Sequence, residues 1–351
     1  MHPSPLLLVV LLAASSIPGA RPTEIRGAGA TFPQPLYEKA FNDYAAFVPK
    51  VTVKYQGVGS GAGTQSLLRR EVDFAASDVR LSGEEQMPAG EPIAQIPTCL
   101  GAVAVVVNLP GNPHIRLTPE LLTSMFLGRI TRWNERAIVE LNPTARLQAL
   151  PITVVHRADS SGTSYIFTEF LSKASAAWRA GVGTGREVRW PTGRRAKGNA
   201  GVAGLVRQVL GSVGYVELVY AIGNEMNVVA VRNRSGQFIT PTPDSVSQAA
   251  QHPAQGSWAS LTDTSQPGAY PISAFSWILL YREQSYGGRS RERAEALVRL
   301  LWWLTHEGQA HAVALHYAPL TRPAIRRAEA DLHSVLYQGK PLLGQVPANT
   351  P

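Results

Sequence analysis

Two stretches of this chain share one grammar, and together they restrict its fold more than any other feature. Val51-Thr52-Val53-Lys54-Tyr55 reads as a β-strand. The loop Gly57-Val58-Gly59-Ser60-Gly61-Ala62-Gly63-Thr64 follows, and Leu67, Leu68 and Val72 then mark a helical stripe over residues 64–72. Further along, Ile152-Thr153-Val154-Val155 runs into Arg157-Ala158-Asp159-Ser160-Ser161-Gly162-Thr163-Ser164. A helix with Ile166, Phe167, Phe170 and Leu171 on one face comes next. A strand that enters a helix through a short loop is the building unit of α/β folds, so the expected class is α/β with largely parallel sheets. Strands at 72–76 and 102–107 and helices at 36–45, 121–127, 202–210 and 297–305 continue the alternation. The glycine-rich residues 181–201 read as loop beside a functional surface. Residues 241–269, rich in Pro, Ser, Gln and Asp, read as peripheral. At 351 residues, 44% hydrophobic and 17% charged, the chain can bury two cores of roughly 150 residues with a cleft between them.

The charge balance is 33 basic against 25 acidic side chains, a net +8, which points to an anionic partner. Of the basic residues 27 are arginine, whose planar fork suits oxyanions better than a lysine point charge. They occur as dispersed pairs such as Arg69-Arg70 and Arg194-Arg195, without long runs or interleaved aromatics, which argues against nucleic acid. At the N-terminus nine apolar residues, Leu6 to Ala14, precede small residues around Ala20, the pattern of an export signal spanning 1–20. The single cysteine, Cys99, lies far beyond that signal. It can be neither a lipoprotein anchor nor half of an intramolecular disulfide, and it reads as a small buried filler. A soluble periplasmic protein is the expectation.

Helix N-termini offer unpaired N–H groups and the positive end of the helix dipole, so both loops are candidate anion cradles. A third, Gly27-Ala28-Gly29-Ala30-Thr31-Phe32-Pro33, precedes the helix at 36–45. Three cradles suggest one oxyanion held from several sides, with Arg157 supplying charge beside Ser161 and Thr163. Asp78, ending the strand 72–76, carries the wrong charge unless the anion bears a proton, because an ionised carboxylate only accepts hydrogen bonds.

These residues carry a resemblance. Gly27 to Pro33, Tyr55 to Ser60, Val72 to Asp78, Arg157 to Ser164, Gly183-Thr184-Gly185 with Trp190-Pro191, Lys197-Gly198-Asn199 and Gly214 to Glu217 occur in order between about 26 and 340. Together they resemble the periplasmic phosphate-binding proteins of phosphate-specific ABC transport. The resemblance implies a type II two-lobed periplasmic binding fold, with a central β-sheet flanked by helices in each lobe and the ligand cleft between lobes. Residues 21–97 plus 273–351 would form lobe 1 and 98–272 lobe 2, with crossings near 96–100 and 271–275. It implies that inorganic phosphate is held, dehydrated, by Thr31, Phe32 through its N–H, Ser60, Asp78, Arg157, Ser161, Gly162 through its N–H, and Thr163. It further implies a monomer, without cofactor, metal or catalytic residue, that delivers phosphate to membrane permease subunits with a cytoplasmic ATPase. His156 stands where a second arginine is common, Ser160 where glycine is, and Arg194-Arg195-Ala196 in a loop usually richer in glycine.

Rival chemistries fit less well. Gly57-x-Gly59-x-x-Ala62 is a relaxed dinucleotide fingerprint, but the hydroxyl-rich surroundings favour an oxyanion. His306-Glu307 begins a zinc motif whose second histidine comes one residue late, at His311. Neither Gly57-Val58-Gly59-Ser60-Gly61 nor Gly59-Ser60-Gly61-Ala62-Gly63 centres its serine as a hydrolase elbow requires. A phosphatase is the enzyme alternative, since it would bind the same anion as product.

Overall fold

The computed structural model describes residues 22–251 and 260–344. The export-signal reading of 1–20 lies outside them. Eight strands organise the molecule: β1 (Thr23–Gly29), β2 (Val51–Gly57), β3 (Phe74–Ser77), β4 (Ile93–Val107), β5 (Thr153–Arg157), β6 (Arg194–Ala196), β7 (Ser212–Glu217) and β8 (Ser273–Tyr281). They form one continuous path in the order β2-β1-β3-β8-β4-β7-β5-β6, with the short pair Asn227–Val228 also on β4. The pairings of β1 with β2 and β3, and of β5 with β6 and β7, are parallel, as expected from the strand-loop-helix units. The middle differs from the expectation of largely parallel sheets. There β8 runs antiparallel to both β3 and β4, and β4 antiparallel to β7.

The strand expected at 102–107 is the last part of a longer one. All 15 residues of β4 are buried. It pairs with β8 from Ile93 to Ala102 and with β7 from Val103 to Val107, so a single strand serves both halves of the sheet. Pro97 interrupts its apolar pattern, and a central strand tolerates proline only at an irregularity. The register shift opposite Ser276 and Trp277 supplies one. Thr98, the extra residue there, donates to the Ser276 carbonyl at 3.1 Å and bonds the Tyr37 hydroxyl at 2.6 Å.

Helices cover both faces: α1 (Gln34–Phe47), α2 (Ser60–Leu68), α3 (Gly162–Ala174), α4 (Gly198–Gln208), α5 (Arg291–Thr305) and α6 (Arg322–His333). One apolar cluster joins β4, β5 and β7 to α3 through Phe126, Phe167, Trp178 and Tyr215. A second packs β1 and β3 against α1 and α5 through Ile25, Phe41, Phe74 and Leu301. Each such side chain contributes about 1.5–3 kcal/mol when fully buried. Cys99 is a buried free thiol. The described parts of 241–269 are less peripheral than their composition suggests. Thr242 caps a helix, Pro243–Ala249, that buries Val246 and Ala249. Lys173 Nζ binds the Thr262 carbonyl and hydroxyl at 2.9 and 2.7 Å. The stretch 181–201 likewise contains β6, and Trp190 within it stacks on His156 at 4.8 Å.

Candidate functional site

Parallel strands with crossover helices deliver their carboxyl ends, and the helix starts that follow, to one edge of a sheet. Here the ends of β1, β2, β3, β5, β6 and β7 lead respectively to Thr31, Ser60, Asp78, Arg157, Asn199 and Glu217. The helices begin earlier than their apolar stripes indicate. Gly59, at φ 96°, turns the chain so that Ser60 already opens α2, and Gly162, within the expected loop, already opens α3. The loop residues are therefore themselves the first helical turns, with N–H groups directed out of the helix end. No side chain caps α1 or α2.

The site residues of the two halves touch. The Gly162 N–H donates to Ser60 Oγ at 3.1 Å, and the Ser60 hydroxyl reaches Asp78 Oδ2 at 3.5 Å. A Cβ on Gly162 would lie 2.5 Å from Ser60 Oγ and 2.6 Å from Asp78 Oδ2, so only glycine fits this approach. Arg157 Nη1 donates to Thr163 Oγ1 at 3.3 Å. Ser161 accepts from the Ser164 N–H at 3.1 Å as the cap of α3, which leaves its own proton to donate. The carbonyls on either side of the Phe32 N–H are held from below. Tyr220 donates to that of Thr31 at 2.7 Å and Tyr317 to that of Phe32 at 2.6 Å. All eight predicted residues are buried, Thr31 being the most accessible side chain at 7%.

The electrostatics are more balanced than the sequence suggests. Arg157, with a side chain only 1% exposed, forms an ion pair with Asp159, which it also meets through Nε at 2.8 Å. Burial pushes the Asp159 carboxyl up, but the Arg157 contact outweighs it and leaves the group below its usual range. The Gly198 N–H, at the start of α4, donates to Asp159 at 3.0 Å. Asp78 differs: burial raises it to about 7, against the opposing pull of the Ser276 hydroxyl, Arg157 and Ser60. The Ser276–Asp78 contact measures 2.6 Å. The site therefore pairs its one buried cation internally and offers an anion mostly neutral N–H and O–H dipoles, beside one carboxyl able to exchange a proton. A cavity of about 500 Å³ leads to Arg157 and Asp159 between walls that carry Arg186, Arg189 and Arg195.

Sequence reasoning missed Asp159, Asn199 and Ser276. Asn199 stands inside the Lys197-Gly198-Asn199 motif but had no assigned role. Ser276 has no local signal, because it reaches Asp78 only through strand pairing 198 residues away. The histidine of the imperfect zinc motif serves packing: His306 Nε2 meets Glu329 at 3.1 Å, tying α5 to α6. Among the described residues, no group of three or more His, Cys, Asp or Glu could hold a metal ion, and no helix is long and apolar enough to cross a membrane.

A profile of the PBP superfamily domain matches residues 14–304. The phosphate-binding protein PstS of Xylella fastidiosa is 38% identical over 318 residues, covering 88% of this chain and 84% of its own. That of Haemophilus influenzae is 36% identical over 337 residues, covering 93% and 98%. Among solved structures, the ancestral soluble variant of the human phosphate binding protein superposes with a TM-score of 0.72 at 19% identity, covering 91% of this chain and 99% of that one. A high affinity periplasmic phosphate-binding protein, bound with phosphate at pH 8.5, gives 0.69 at 21% identity, covering 88% and 93%. Both share the fold.

Proposed function

The chain belongs to the phosphate-binding proteins of the PBP superfamily, and on that premise we propose that it captures inorganic phosphate and passes it to an ABC-type importer. The observation that carries this reading is the meeting of the Ser60, Asp78 and Gly162 loops at hydrogen-bond distance, ringed by buried donors. Phosphate entering between them takes over the Gly162 N–H and the hydroxyls of Thr31, Ser60, Ser161 and Thr163. The Phe32 N–H and Arg157 complete the donor set. Hydrogen bonds to a charged group contribute roughly 1.5–3 kcal/mol each, enough for micromolar or tighter binding after dehydration. Asp78 and the anion share one proton, which hydrogenphosphate brings and sulfate lacks.

The lobes are residues 21–97 with 273–351, and 98–272. The anion bridges them, and hinge closure takes the place of catalysis. The protein is a periplasmic monomer exported on a cleavable signal, and it docks on permease subunits served by a cytoplasmic ATPase. Calorimetric titration of unfolded and refolded protein with phosphate and then sulfate tests the reading. One-to-one phosphate binding with silent sulfate is expected, as is no turnover of a chromogenic phosphate ester. Sulfate binding within tenfold of phosphate at about pH 8 overturns it, and ester turnover selects the phosphatase instead.

A further inference from the structure

We propose that Asn199 is a positioning residue that fixes the hydroxyl protons of Thr31 and Thr163 toward the bound anion, across the closed cleft. The proposal rests on the phosphate reading above. Asn199 is fully buried at the start of α4 and touches three elements at once. Its Oδ1 accepts the Glu217 N–H at 3.0 Å. A backbone N–H can only donate, so this contact settles which end of the amide is oxygen, and the Nδ2 hydrogens must face the other way. There they donate to Thr31 Oγ1 at 2.9 Å and toward Thr163 Oγ1 at 3.5 Å.

The consequence follows from counting lone pairs. A hydroxyl has one proton and two acceptor positions. Thr163 Oγ1 accepts from Arg157 Nη1 at 3.3 Å and from Asn199. Thr31 Oγ1 accepts from Asn199 Nδ2 and, at 3.4 Å, from the Asn199 backbone N–H. With acceptor positions occupied, each hydroxyl has only its proton left to offer, and both offer it to the cleft. The amide thus turns two ambivalent hydroxyls into donors matched to an oxyanion, before any anion arrives. Because Asn199 and Thr163 lie in one proposed lobe and Thr31 in the other, the full arrangement exists only when the lobes meet.

The test is a double-mutant cycle on the full chain, read by calorimetric phosphate titration, with thermal melts as a fold control. Thr31→Val is expected to weaken phosphate binding about tenfold or more in the parent and less than threefold in the Asn199→Ala chain, which itself binds about tenfold more weakly. Asn199→Ala binding within threefold of the parent, or two substitutions whose effects simply multiply, overturns the assignment. If Asn199→Ala does not fold, the isosteric Asn199→Asp carries the test. Its ionised carboxylate would draw both hydroxyl protons away from the anion. Affinity is expected to fall about a hundredfold near pH 8 and to recover in part, relative to the parent, near pH 5, where the carboxyl can donate again. A loss that does not vary with pH marks a merely structural role and overturns the proposal. If the parent does not bind phosphate, the phosphate reading falls too; if it binds and the cycle shows no coupling, only the role of Asn199 falls.

Discussion

In the proposed site, Asp78 should make the rejection of sulfate a titratable property. Its carboxyl stands at about 7, raised by burial and held back by the Ser276 hydroxyl and Arg157. Sulfate brings no proton, so it can occupy the site only when Asp78 is protonated. The apparent sulfate affinity therefore scales with the protonated fraction, about one half at pH 7, one tenth at pH 8 and one hundredth at pH 9. Sulfate binding should weaken about tenfold per pH unit above 7 and level off below about pH 6. Hydrogenphosphate supplies the shared proton itself, so its affinity should change less than about threefold between pH 7 and 8.5. In Asp78→Asn the amide donates at every pH. Its sulfate curve should be flat, and its preference for phosphate at pH 8.5 should shrink at least about tenfold. Competition titrations of parent and variant across this range read both slopes. A flat sulfate curve in the parent, or a slope that persists in Asp78→Asn, refutes the reasoning.

Three further outcomes follow from the geometry. Gly162→Ala places a methyl group 2.5 Å from Ser60 Oγ and 2.6 Å from Asp78 Oδ2, so the loops must move apart and calorimetric titration should show phosphate affinity reduced about tenfold or more. A carboxyl raised in the folded state binds a proton that the unfolded chain has already released, so the contribution of Asp78 is greatest in acid. It declines as pH rises from about 4 toward 7, and melts of parent and Asp78→Asn should converge in acid and diverge above it. Cys99, buried and with its thiol pushed up by that burial, should resist aromatic disulfide reagents in the native state and react fully in denaturant. Rapid native labelling would contradict the packing.

Much of the site was legible because its chemistry is written in local segments. A loop of glycines and hydroxyls between a strand and a helix announces an anion cradle, and Thr31, Ser60 and Arg157 to Thr163 all lie in such loops. What escaped depends on long-range pairing. Ser276 is an ordinary strand residue until antiparallel β8 sets it against Asp78. Asp159 stood in its loop without a role of its own, and the fold makes it the partner that neutralises Arg157. β4 was visible only from Ala102 onward, since Pro97 and Thr98 look like a break. In the folded chain they mark an irregularity that the strand passes through, with Thr98 tied to Tyr37 and Ser276. Residues 241–269 misled through composition: a capped helix with few apolar residues still buries Val246 and Ala249.

The passage of β4 through both halves of the sheet bears on how this protein comes apart. Neither half has a complete hydrogen-bond ladder without it, because β8 and β7 lean on successive stretches of one backbone. Melting either half strips partners from a fully buried strand, leaving N–H and C=O groups unpaired in the remaining half at a cost of about 1–3 kcal/mol each. Denaturation should accordingly be a single cooperative event, and neither half should persist when expressed alone. The same continuity limits hinge motion to the twist that β4 and β8 can absorb while their ladder stays closed.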